Sequence, residues 1–401
     1  MELTSSELAT FPQARTCPYL PPAGYQELRG QNWLTRVALW DKRVVWLVTG
    51  YAQARQLLGD LRLSSDRSNP DYPVLLPHMA AEVARRQLLL MGMDPPEHDV
   101  HRRMLNPYFS LKQVRALRSN VERVVTDAVE AMLTMEPPVD LVSQFALPVP
   151  STVISELLGI PRTDQEFFQE ATRRMLQASD HTETQLAGME LLRYLDRIVS
   201  EQEKAPGAGL IGQLVAHVEA GELTHQELVQ LSLVLLVAGH ETTASMIALG
   251  VLTLLEHPDQ LARLHANQQL VPSAVEELLR VIAVTDLAGI RVATADIELD
   301  GQVIAKGDGV LISATLANRD TAVHDEPEAF DVGRPTGRQH LTFGYGIHQC
   351  IGQNLARLEL EVAFRVLFDR IPTLRLAVPA DQLRMREKVN VQGVMELPIA
   401  W

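Results

Sequence analysis

With 401 residues, 46% of them hydrophobic and 21% charged, the chain has an ordinary globular composition and ample material for a core. A formal net charge of −14 argues against nucleic acid as the main partner. Cys17 and Cys350, the two cysteines, lie too far apart to frame a disulfide scaffold and point to a reducing cytoplasm, and the start MELTSSELAT lacks the basic and apolar regions of a signal peptide.

Residues 10 to 30 are proline-rich and extended before turning helical, and the β-branched run Val44 to Thr49 reads as a strand. Ala52 to Leu58 is a short helix, and Ser64 to Pro77, rich in Ser, Asp, Asn and Pro, is a long loop. Asp94-Pro95-Pro96 starts a helix on which His98 and Arg102, four residues apart, share a face. Residues 111 to 135 and 163 to 203 have helical periodicity, joined by a connector from Pro148 to Pro161 and stopped by the breaker Lys204 to Gly209. Thr224 to Glu227 has the form of a capping box and opens a helix reaching about Glu256, roughly 48 Å long. Its apolar run is interrupted by His240, Glu241, Thr242 and Thr243. That leaves fewer than the ~18 uninterrupted residues of a membrane span, so the helix is read as core. Glu277 and Arg280 follow on a helix opened by Pro272, and alternating strands turn at Asp300-Gly301. No repeat or interdomain linker is visible, so one domain over 1–401 is expected, mainly α (α+β) with a small β-sheet region.

The stretch from Phe343 to Gly352, FGYGIHQCIG, holds Cys350 among glycines and leads into a helical pattern from Gln353 to Asp369. A thiol at a helix entrance is acidified by free N–H groups and the positive dipole end, which prepares it for a soft metal. Taken alone, Cys350 fits three other roles. It could be a small buried apolar residue, a zinc ligand paired with His348, or a nucleophile with His348 as base.

The ten-residue pattern F-x-x-G-x-H-x-C-x-G resembles the haem-binding loop of the cytochrome P-450 superfamily, with Tyr345 where many bacterial members carry histidine. Ala238 to Thr243, AGHETT, resembles the family's oxygen-binding helix. The segment DPPEH followed by Arg102 resembles its propionate-binding helix. Glu277, Arg280 and Arg334, the last from FDVGR, match its structural E-x-x-R triad. The likeness covers essentially the whole chain, including Ala-Asn-Arg-Asp at 317 to 320. It implies a P-450 fold with one haem b buried between the long central helix and the cysteine-loop helix, the Cys350 thiolate being the axial iron ligand. Phe343, Gly344 and Gly352 would shape that loop, and His98, Arg102, Arg291 and His348 would bind propionates. Ala238 and Gly239 would leave room for O2, while Glu241 and Thr242 would deliver the protons that O–O cleavage needs.

By the same likeness the chain is a cytoplasmic, monomeric monooxygenase that inserts one oxygen atom from O2 into a C–H bond or an alkene of a small hydrophobic organic substrate. Such enzymes tailor macrolides and other natural products or oxidise xenobiotics. No flavin or pyridine-nucleotide segment is present, so a ferredoxin and its reductase would supply electrons. The basic stretch of His101, Arg102, Arg103, Lys112, Arg115 and Arg118 would dock the ferredoxin. Two other classes remain: a haem-thiolate sensor without turnover and a peroxide-driven relative. Neither needs the Glu241-Thr242 pair. Selectivity would depend on residues 64 to 92, 284 to 290 and 389 to 394.

Overall fold

The computed structural model describes residues 8–13, 20–29, 33–77, 89–177, 181–386 and 391–401. Cys17 and parts of the expected selectivity segments, 78–88 and 389–390, lie outside the described residues, as does the start of the chain.

The described chain divides into two compact units, each assembled from separated stretches of sequence. The first, Met1–His101, Pro272–Ile351 and Glu387–Gln392, holds a five-stranded sheet. The strands run in the order Leu34–Ala38, Val44–Val48, Gly309–Ser313, Leu287–Ala293, Leu63–Ser64. Val44–Val48 lies parallel to Gly309–Ser313, and the other pairs are antiparallel. Every residue of Gly309–Ser313 is buried, as expected of a β-branched strand covered on both faces. Asp300 and Gly301, with φ of 49° and 77°, make the two-residue hairpin turn between Ile297–Leu299 and Gln302–Ile304.

The second unit, Arg102–Val271, Gly352–Arg386 and Gly393–Trp401, is mostly helical. Its axis is the helix His225–Glu256, which starts as its sequence dictates. The Thr224 hydroxyl accepts from the Glu227 N–H at 3.2 Å, and the Glu227 carboxylate accepts from the Thr224 N–H at 2.7 Å. Nineteen of its residues are buried, so its apolar composition serves a protein interior. Helices Pro148–Leu158, His181–Lys204 and Gln353–Arg370 pack against it.

Pro148 to Pro161 is not a connector. Pro148–Leu158 is an eleven-residue helix, preceded by a wide π turn over Val142–Ala146. Its prolines fall in the first turn, where a missing N–H costs nothing, and seven of its side chains are buried. The helices Leu210–Glu219 and Pro258–Ala266 also carry no signal in the sequence reading.

Candidate active site

In the first unit, the cysteine loop is built by a few specific bonds. The Cys350 N–H donates to the Phe343 carbonyl at 2.8 Å and pinches the loop at its base. Gly344 and Gly346 have φ of 67° and 74°, and a Cβ at Gly346 would lie 2.5 Å from the Leu58 carbonyl oxygen. Only glycine gives both the conformation and the approach. Asn318 supports the loop from below. Its side-chain oxygen accepts from Leu341 N at 2.7 Å and its amide donates to Thr342 Oγ1 at 2.9 Å, while Thr342 donates to the Leu279 carbonyl. The loop thus hangs from the helix Val271–Ile282. The Cys350 thiol is exposed, and Gly352 occupies the N-cap of Gln353–Arg370 with an ordinary φ of −81°.

The same helix carries the triad. Glu277 and Arg280 are fully buried and paired at 2.7 Å, and Arg334 reaches Glu277 at 2.9 Å. Arg280 also donates to the carbonyls of Asn318, Pro327 and Ala329, so its guanidinium ties three stretches of chain together. Burial alone would raise the Glu277 carboxyl. Arg280, and then Arg334 with the Asp331 N–H, more than offset this and hold it below its ordinary range.

Beside the loop, three basic side chains converge. The His98 and His348 rings lie 4.4 Å apart, and His348 Nε2 contacts Ser65 Oγ at 3.0 Å. Arg291 and His348 line one cleft with Asp94, Leu58 and Leu63. Arg291 is 7% exposed, and burial lowers its guanidinium against the opposing charges of Tyr72 and Asp94. His98 is 1% exposed. Its Nδ1 faces Asp99 at 3.0 Å, and its Nε2 has no hydrogen-bond partner among the described residues. A buried nitrogen without a partner, beside a second imidazole and near a buried guanidinium, fits a carboxylate ligand. Haem brings two. These residues therefore fit the group, with Cys350 available as the thiolate. Arg102 shares the helix Glu97–Leu105 with His98, is partly exposed, and donates from Nε to Asn106 at 3.2 Å.

In the second unit, AGHETT lies within regular helix. Ala238 is exposed, although much of its helix is buried. At Gly239 a Cβ would lie 3.2 Å from Ile154 Cδ1. The Thr242 hydroxyl donates back to the Ala238 carbonyl at 2.7 Å. Glu241 pairs with Arg386 at 3.2 Å, both side chains being largely buried. Burial pushes the Glu241 carboxyl up to about 7, with Arg386 pulling the other way. His240 is fully buried near Phe168, and burial pushes it down to about 4. Arg386 was missed by sequence reasoning, because it lies 145 residues from Glu241 and no local spacing announces the pair.

Of the basic stretch, Arg103, Lys112 and Arg115 are exposed, whereas Arg118 is engaged by Glu361 at 3.5 Å and Glu122 at 3.7 Å.

Comparison with known proteins agrees with these features. Residues 210–371 match the family described as Cytochrome P450. Cytochrome P450 105A3 of Streptomyces carbophilus is 53% identical, covering 100% of this chain and 97% of its own length. Vitamin D3 dihydroxylase of Streptomyces griseolus is 50% identical, covering 99% and 98%. The crystal structure of mycinamicin VIII C21 methyl hydroxylase from Micromonospora griseorubida, bound to mycinamicin VIII, superposes with a TM-score of 0.91 at 41% identity, covering 98% of this chain and 100% of that one. With relatives of that identity along its whole length, the chain belongs to the cytochrome P450 family of haem-thiolate monooxygenases.

Proposed function

We propose that this enzyme hydroxylates a C–H bond of a bulky, mainly apolar natural product, with its haem held through the Cys350 thiolate. When bound, a thiolate-ligated haem supplies reductive activation of O2 and favours O–O cleavage. The chain's own residues do the rest. His98, Arg291 and His348, joined by Arg102, neutralise and orient the propionates. Phe343, Gly344 and Gly352 shape the loop that presents the thiol. Ala238 and Gly239 keep the helix surface low where dioxygen must fit, the Thr242 hydroxyl, its own proton given to the Ala238 carbonyl, presents its oxygen there as an acceptor, and Glu241 passes protons toward it. A carboxyl near 7 can hold or release a proton at working pH, as this task requires.

The substrate class is supported by the relatives, which include a vitamin D3 dihydroxylase and a mycinamicin VIII C21 methyl hydroxylase. The chain acts as a single cytoplasmic domain and takes electrons from a ferredoxin and its reductase. The observation that carries the reading is the buried His98 Nε2, without a hydrogen-bond partner among the described residues, beside His348, with Arg291 in the cleft His348 lines, in the unit that presents Cys350. The test is the absorption spectrum of the dithionite-reduced protein under carbon monoxide. The red-shifted band of a thiolate-ligated carbonyl haem is expected, and it should disappear in Cys350→Ala. A band of histidine-ligated haem, or folded protein without haem, would refute the assignment.

A further inference from the structure

The cleft lined by Arg291 and His348 also contains a carboxylate, that of Asp94. A negative charge in a cleft suited to carboxylates works against binding them, so Asp94 needs another task. Capping its own helix is not that task. Among the described residues its oxygens bond Ser64 and Ser65, not the first-turn N–H groups of Glu97–Leu105. The Ser64 hydroxyl donates to Oδ2, and the Ser65 N–H donates to Oδ1 at 2.8 Å. Both serines are deeply buried, Ser64 being 4% and Ser65 1% exposed. The Ser64 hydroxyl also accepts from the Asp66 N–H at 3.0 Å, which closes the chain around Ser65.

From Asp94 the contacts run on to the three basic groups of the cluster. The Ser65 hydroxyl meets His348 Nε2 at 3.0 Å, so that ring is held by a serine that Asp94 holds. The Asp94 carbonyl accepts from the His98 N–H at 3.0 Å, and the turn it closes sets where the His98 side chain leaves the backbone. Ser64 pairs across the sheet with Val292, the residue after Arg291, and the Asp94 charge opposes that of Arg291. We infer that Asp94 is a positioning residue for the haem carboxylates: through Ser65 it fixes the His348 ring, and through Ser64 it fixes the strand beside Arg291. This rests on the reading of His98, His348 and Arg291 as the groups that bind the propionates. Asp94 acts through other residues, because a carboxylate has no proton to donate to another carboxylate. What it supplies is order. Side chains already held in place lose less freedom when the acid groups arrive, and the binding is tighter by that difference.

The experiment compares wild type, Asp94→Ala, Asp94→Asn, Ser65→Ala, His348→Ala and the double variant Ser65→Ala with His348→Ala, all as ferric holoenzymes. Two quantities are read. Resonance Raman gives the propionate bending bands and the iron–sulfur stretch, and transfer of haem to excess apomyoglobin gives its rate of loss. Asp94→Ala and Ser65→Ala should move the propionate bands in the direction that His348→Ala moves them and leave the iron–sulfur stretch in place. Their haem loss should be faster by roughly tenfold, the scale on which partners behind a ligand act at metal sites. Asp94→Asn, which keeps an acceptor for the Ser65 N–H, should fall between wild type and Asp94→Ala. Adding Ser65→Ala to His348→Ala should speed haem loss no further, since Ser65 acts through that ring. A serine with a merely structural role would add its own effect in full.

Wild-type bands and haem loss in Asp94→Ala, with His348→Ala altered, overturn the role of Asp94 alone, and so does full additivity in the double variant. Wild-type bands and haem loss in His348→Ala overturn the propionate reading and this inference with it. Should Asp94→Ala fold poorly, Asp94→Asn and Ser65→Ala decide together: shifted propionate bands in both support the proposal, and wild-type bands in either overturn it.

Discussion

Arg280 is fully buried and its charge is fully used, bonding Glu277 and three backbone carbonyls, one of them of Asn318, whose side chain supports the cysteine loop. Replacing it with methionine would fill much of the volume but leave a buried carboxylate with Arg334 as its remaining counter-charge among the described residues. Breaking a buried pair from one side costs about 3–5 kcal/mol. Denaturant unfolding should show that loss, together with weaker haem retention. The acid limb gives an independent check. Folding holds Glu277 below its unfolded value of 4.5, so its contribution is complete above that pH and fades as pH falls through the depressed value. Arg280→Met should lose most of this term, making its stability less sensitive to acid than that of wild type. A variant with unchanged stability and an unchanged acid limb would show the triad to be dispensable. At this scale the sequence was partly legible. The i,i+3 spacing of Glu277 and Arg280 pairs them on one helix face, and the family pattern named Arg334 as the third member. Glu241 and Arg386 form a largely buried pair, but their partnership exists only after the chain has folded back over 145 residues.

At the scale of elements, the cysteine loop is a backbone device more than a side-chain one. Gly346 combines a left-handed φ with a neighbour, the Leu58 carbonyl, that a methyl group cannot pass. Gly346→Ala should therefore cost about 1–2 kcal/mol for the conformation alone, with the steric conflict added to that. We expect a lower thermal midpoint and a smaller fraction of protein giving the thiolate carbonyl band. Equal haem content and an unchanged midpoint would show that the loop can relax at no cost. Elements whose termini are written in local chemistry were readable in advance. Thr224 and Glu227 cap the long helix, and Asp300-Gly301 turns the hairpin. Pro148–Leu158 was not readable, because Pro148 and Pro150 look like breakers unless their place in the first turn is known. That place is set by the preceding π turn, which has no sequence signature of its own. The helices after the breaker at 204 to 209 and after Pro258 hid for a related reason. Short amphipathic helices are held by packing, and packing partners are distant in sequence.

For the whole molecule, the relevant quantity is how an acidic protein presents a basic surface. Against a net charge of −14, Arg103, Lys112 and Arg115 stand exposed, whereas Arg118 is already answered by Glu361 and Glu122. Local positive charge in an otherwise negative field steers an acidic partner to one side and repels it elsewhere, and the effect weakens as salt screens it. Changing Arg103, Lys112 and Arg115 together to glutamate should slow reduction by an acidic ferredoxin about tenfold or more at low ionic strength and flatten its salt dependence. Dithionite reduction and substrate-induced spectral shifts should stay as they were. Arg118→Glu should act differently. It breaks contacts within the protein and sets three carboxylates against one another, so its cost should appear in unfolding before it appears in electron transfer. Stopped-flow reduction across a salt series separates the two effects. If the triple variant is reduced at the wild-type rate and with the wild-type salt slope, electrons enter through another face, and these three charges serve only to keep an acidic chain from repelling itself.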